Sequence, residues 1–150
     1  MDYLEKQAET LNDLVLINND RVEGYQKAID ELKEEDADLR SIFQERIDQS
    51  RKFHSELVAE VAKLGEEVAE GTKATGKIYR AWMDVKAFFS GNDRKAILDN
   101  CEDGEDAALR AYDEALKCEH LTPEQRSVVI RQQADVKASH DRIKAMRDSL

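Results

Sequence analysis

From Leu4 to Leu32 the inward side chains recur in steps that alternate four and three: Leu4, Ala8, Leu11, Val15, Asn18, Val22, Tyr25, Ile29, Leu32. That interval keeps one stripe of an α-helix facing a common partner for roughly eight turns. A strand cannot use it, because strand side chains change face at every residue. The first helix is expected from about Leu4 to Glu34, with Asp2 and Glu5 as a capping pair. A helix this long with one apolar stripe needs other helices against it.

Three further stripes supply them. The second helix, about Asp38 to Leu64, reads Leu39, Phe43, Ile47, Ser50, His54, Leu57, Val61 and Leu64, widened by Phe53 and Val58. The third, about Asp93 to Lys117, follows the possible caps Ser90 and Asn92 and carries Ile97, Cys101, Glu105, Ala108, Tyr112 and Ala115. The fourth starts at "LTPEQ", where Thr122 can cap, Pro123 fits the first helical position and Gln125 can return the bond. Its inward series is Val129, Gln133, Val136, His140, Ile143 and Met146 or Arg147, toward Leu150. One proline and six glycines in 150 residues leave little for a turn-rich β fold. The expectation is a single all-α domain spanning residues 1–150.

Connection lengths suggest the topology. Short links make antiparallel hairpins of the first and last helix pairs. Between the second and third helices lies a longer segment, Gly65 to Asn92, whose part from Ile78 to Phe89 reads as a short extra helix with Tyr79, Trp82 and Val85. Such a crossover can set the third helix parallel to the second, the ferritin-like four-helix arrangement. Within the crossover, "GTKATGK" matches the opening of a phosphate-binding loop. Ile78 follows where a magnesium-binding hydroxyl belongs, so nucleotide binding is not expected.

Charge and composition exclude other classes. A formal net charge of −10 opposes attraction to nucleic-acid phosphates or anionic lipid. No apolar run approaches the roughly 20 residues of a membrane span, and "MDYLEKQAET" lacks the pattern of a secretory signal. Cys101 and Cys118 fall on one helix, roughly 25 Å apart at 1.5 Å per residue, too far for a disulfide within the chain. Free thiols suit a reducing compartment, so the expected location is the cytoplasm.

Inward polar residues are where chemistry could reside. They form a layer: Asn18, Arg51, His54, Glu105, Lys137 and His140. A ferritin-like di-iron bundle takes one Glu from each of two helices and Glu-x-x-His from the other two. Arg51-x-x-His54 and Lys137-x-x-His140 keep that spacing with cations where carboxylates belong. Arg is no ligand and Lys prefers its protonated form. The expectation is therefore a metal-free buried polar layer in which Arg51, Lys137 or both balance Glu105, with no cofactor. The alternative is a rearranged metal or redox site using His54, Glu105 and His140, assisted by Glu102 or Glu23. Asp20, Asp135 and Asp141 also flank the layer and could make a shifted site. Cys118 lies near His120, but no third group orients the pair as nucleophilic catalysis requires.

The segments "NNDRVEGYQKAI", "GKIYRAWMDVKA", "CEDGEDAALRAYDEAL" and "ADVKASHDRIK" together resemble a bacterial family of uncharacterised four-helix-bundle proteins placed in the ferritin-like group. The resemblance covers nearly the whole chain and implies a ferritin-like bundle with the crossover; it supplies no substrate or reaction. The functional expectation is a non-enzymatic protein acting through a protein partner or self-association, without nucleic acid or membrane.

Overall fold

The computed structural model describes residues 3–66 and 93–150. Four long helices account for most of them: α1 (Tyr3–Glu31), α2 (Asp38–Lys63), α3 (Arg94–Leu116) and α4 (Pro123–Asp148). A 3₁₀ turn, Glu34–Asp36, joins α1 to α2, and no strand occurs among the described residues. None of the described helices is long and apolar enough to cross a membrane. The expected helix from Ile78 to Phe89 and the "GTKATGK" segment lie outside the described residues.

Helix ends follow local chemistry. Thr122 and Gln125 close the expected capping box, with Thr122 Oγ1 accepting from the Gln125 amide at 3.1 Å and Gln125 Oε1 accepting from the Thr122 amide at 2.9 Å. The cap of α3 is Asp93, whose carboxylate accepts from the Ala96 amide at 2.7 Å, while Ser90 and Asn92 lie outside the described residues. Arg126 donates to the Leu116 and Cys118 carbonyls at 2.9 and 2.7 Å, satisfying acceptors at the C-terminal end of α3. Helix α1 stops at Glu31, short of the expected Glu34. Its last turn has no basic residue, and Glu34, Glu35 and Asp36 bring more negative charge to the negative end of the helix dipole.

Cross-helix contacts fix the directions. Arg21 and Asn18 of α1 meet Glu105 and Tyr112 of α3, so these helices run antiparallel. Along α2, Phe53, Glu56 and Lys63 meet Gln132, Arg131 and Glu124 of α4, again antiparallel. Arg94 pairs with Asp36 at 3.3 Å and Asp38 at 2.8 Å, so α2 and α3 begin at the same end and run the same way. The order is up, down, down, up.

Two apolar clusters fill the interior. One gathers Leu11, Leu14, Val15, Phe53, Leu57, Val61, Ala108 and Val129; the other gathers Tyr25, Ile29, Leu39, Phe43, Ile47, Ile97 and Ile143. Each buried Leu, Ile or Phe contributes about 1.5–3 kcal/mol. Helix α1 is buried on every side from Asp13 to Asn18, so its apolar surface is wider than one stripe. The stripe of α3 is inside throughout. At the bundle ends Leu4 and Leu150, expected inside, are exposed. In α4 the inward glutamine is Gln132 and not Gln133: Val129, Gln132, Val136, His140 and Ile143 keep to one face, while Gln133 sits on the flank against Asp113.

Candidate functional site

Between the two apolar clusters each helix contributes one side chain to a closed polar layer. Arg21 of α1 lies across the bundle and donates from Nε and Nη2 to Glu105 Oε1 and Oε2 of α3, at 2.6 and 2.9 Å. Its Nη1 donates to Ser50 Oγ of α2 at 2.9 Å, and Nη2 also reaches Ser139 Oγ of α4 at 3.2 Å. Arg21 is 1% exposed and Glu105 0%, so this ion pair is out of reach of bulk solvent. Serine at positions 50 and 139 is small enough to leave the guanidinium room and polar enough to accept from it. The Tyr25 ring lies 5.6 Å from the guanidinium carbon, giving the cation an aromatic neighbour.

A second four-helix network lies beside the first. Asn18 donates to the Tyr112 hydroxyl at 2.9 Å; Tyr112 donates to Gln132 Oε1 at 2.7 Å. Gln132 passes its own hydrogens to the Phe53 carbonyl at 3.3 Å and Glu56 at 3.1 Å. Buried polar groups are expensive unless partnered, and these links partner the Asn18 amide hydrogens, the Tyr112 hydroxyl and the Gln132 amide across all four helices, while Asn18 Oδ1 is left without a hydrogen bond.

Protonation follows from burial. For Arg21, burial works against the charge, but Glu105 outweighs it and holds the guanidinium protonated more firmly than usual. Burial, then the Glu105 charge, pushes the Tyr25 phenol and the Cys101 thiol well above their ordinary ranges. Burial does the same to Tyr112, against the opposing bond from Asn18. At neutral pH the phenols and the thiol keep their protons. A thiol without thiolate character is a poor nucleophile, so Cys101 is a small core side chain.

The expected layer is redistributed by these contacts. Asn18 and Glu105 are inside it. Arg51 is not: it is exposed on α2 and lies 3.9 Å from Asp48. Lys137 is not either, being exposed on α4 and bonded to Asp141 at 2.8 Å. The positions facing the interior are Ser50, next to Arg51, and Ser139, two residues beyond Lys137. One residue turns a helix by about 100°, enough to carry Arg51 out of the core. The counter-charge to Glu105 is Arg21, which lies three residues after Asn18 and four before Tyr25 on the same face of α1. His54 is half-buried, and burial lowers its proton affinity.

His140 is buried, but among carboxylates at the α3–α4 seam. Its Nε2 lies 2.8 Å from Asp106 Oδ1 and 3.8 Å from Glu102 Oε1; Nδ1 lies 2.9 Å from Asp141 Oδ1. Arg147 contacts the other oxygen of Glu102 and lies 3.5 Å from Asp99. Asp103 next door has its carboxyl pushed up, first by partial burial and then by Asp106 and Asp99. Among the described residues, Glu102, Asp106 and His140 place three donor atoms within 4.8 Å of one another. The trio His54, Glu105 and His140 does not converge in this way, and both oxygens of Glu105 are engaged by Arg21.

Comparison with known proteins gives one family. The family model described as a domain of unknown function, DUF2383, matches residues 6–118, a span containing α2, α3 and nearly all of α1. No curated protein matches the chain.

Proposed function

The chain belongs to the DUF2383 family, and from that premise we propose a ferritin-like, non-enzymatic single-domain bundle that acts through association with a protein partner or with its own copies. The observation that carries this reading is the bidentate Arg21–Glu105 pair at the centre of the four helices. A ferritin-like redox bundle gathers carboxylates there to balance two metal ions. Here a fixed guanidinium occupies the middle and already binds the carboxylate. A divalent ion about 4 Å from it would meet a repulsion of roughly 8 kcal/mol even at an effective dielectric of 20. Reactive groups around the pair are protonated or committed to hydrogen bonds between helices, which favours a structural interior. The free Cys101 and Cys118 support a reducing, cytoplasmic setting.

Light scattering on material eluting from a size-exclusion column tests the association, together with affinity capture of the tagged chain from its native cell. A concentration-dependent oligomer or a stoichiometric co-purifying protein is expected. A monomer at every concentration, captured alone, would overturn the association. Incubation with ferrous iron tests the interior, and a pair of iron ions bound beside Glu105 would overturn the metal-free layer.

A further inference from the structure

We propose that Glu102, Asp106 and His140 form a site for one divalent transition-metal ion, of the class of zinc or cobalt, at the seam between α3 and α4. The inference goes beyond the association reading and does not depend on it. Glu102 and Asp106 are four residues apart, so both project from one face of α3, and His140 meets them from α4. An imidazole with two carboxylates is a donor set for such an ion, with water completing the coordination.

Geometry on the far side of each donor makes this more than a charged surface. His140 Nδ1 faces Asp141 Oδ1 at 2.9 Å, and Asp141 is itself held by Lys137 at 2.8 Å. A carboxylate behind an imidazole fixes the ring and leaves the opposite nitrogen's lone pair for a metal. That opposite nitrogen, Nε2, points at Asp106 and Glu102. A cation placed between Nε2 and these two carboxylates would be met by all three donors. Arg147 plays the matching part for Glu102, holding Oε2 and leaving Oε1 toward the histidine. Donors about 2.1 Å from a tetrahedral ion lie about 3.4 Å apart. The 2.8 Å contact to Asp106 therefore opens and the 3.8 Å contact to Glu102 closes, each through a small side-chain movement. Glu102 and His140 are nearly buried while the Asp106 side chain is 43% exposed, so the site has rigid walls and an open side for entry.

Glu105 lies between Glu102 and Asp106 on α3 but faces the bundle axis, toward Arg21 of α1. His140 and its supporting Asp141 lie beyond the segment that matches the family model.

The test is a calorimetric titration of the tag-free, chelator-stripped full chain with zinc, paired with visible absorption of its cobalt complex. One saturable ion per chain is expected, with cobalt bands of a nitrogen–oxygen site. Asp106→Asn and His140→Gln should each weaken binding at least about tenfold, and Asp141→Asn about tenfold through loss of its support. Asp103→Asn should bind as the parent does. If His140→Gln fails to fold, the half-exposed Asp106→Asn carries the test. No saturable binding would mean that His140 only hydrogen-bonds to the carboxylates around it, and the proposal falls. It falls equally if binding survives the Asp106 and His140 changes or is lost in Cys118→Ser.

Discussion

Helix α3 presents carboxylates to two places within a single turn, and they meet different partners. Glu105 turns toward the bundle axis, where one guanidinium engages both its oxygens and two serine hydroxyls take up hydrogens the guanidinium has left. Glu102 and Asp106 turn toward α4, where they share one imidazole that a third carboxylate also claims. The first place is closed to bulk solvent, with charge balanced. The second has Arg147 on the far oxygen of Glu102, a histidine nitrogen between Glu102 and Asp106, and one open side. A carboxylate beside a histidine does not by itself make a metal site; what counts is whether a cation already fills the space between the donors.

The largest effect expected is on the closed side. Glu105→Ala leaves a buried guanidinium unpaired and should cost about 3–5 kcal/mol in urea unfolding, a large part of the roughly 5–15 kcal/mol that holds a domain together. A loss below about 1 kcal/mol would mean that the pair is not sealed from water. Next comes Tyr112→Phe, which strips Asn18 and Gln132 of their shared hydroxyl inside the bundle. About 1–3 kcal/mol is expected, the cost of stranding buried polar groups, and an unchanged unfolding midpoint would break the claim that this network ties the helices.

Smaller effects sharpen the contrast between inside and outside. Arg51→Ala and Lys137→Ala should leave the unfolding midpoint unchanged, since both side chains are exposed and their ion pairs lie on the surface. A loss comparable to that of Glu105→Ala would return them to the interior. The smallest effect is a slope with pH. Burial lowers the proton affinity of His54 in the fold, whereas the unfolded chain takes up that proton near pH 6.5. Stability from this group is therefore present at pH 7 and declines as pH falls below about 6.5, until the folded histidine also protonates. Denaturation of the parent and of His54→Gln across this range should show a shallower acid decline for the variant; parallel curves would count against it.

Much of the bundle was legible from periodicity. The α3 stripe and the Thr122 box followed from spacing and capping chemistry alone, because both are local properties of a helix. The central pair was half legible. Glu105 announced a missing counter-charge, but the search followed Glu-x-x-His spacing to Arg51 and Lys137. Ser50, already inside the second stripe, argued against Arg51, since adjacent helical residues do not share a face. Arg21 carried the better signal, bracketed by inward Asn18 and Tyr25, yet an alternating four-and-three count steps over it to Val22. Its partner lies 84 positions away, and no local pattern specifies a contact at that range. The Glu102–Asp106–His140 trio was similarly divided. Glu102 and His140 were visible as candidates and Asp106 was not; the convergence of the three depends on how α4 is rotated against α3, which single-helix patterns do not set.

The central claim is that Arg21 and Glu105 complete one another inside the bundle. A double-mutant cycle measures this directly, with unfolding free energies for the parent, Arg21→Met, Glu105→Leu and the pair together. Each single change should cost about 3 kcal/mol or more by leaving a buried charge alone, while the double change should return stability to within about 1 kcal/mol of the parent or above it. Losses that simply add in the double variant would contradict the account.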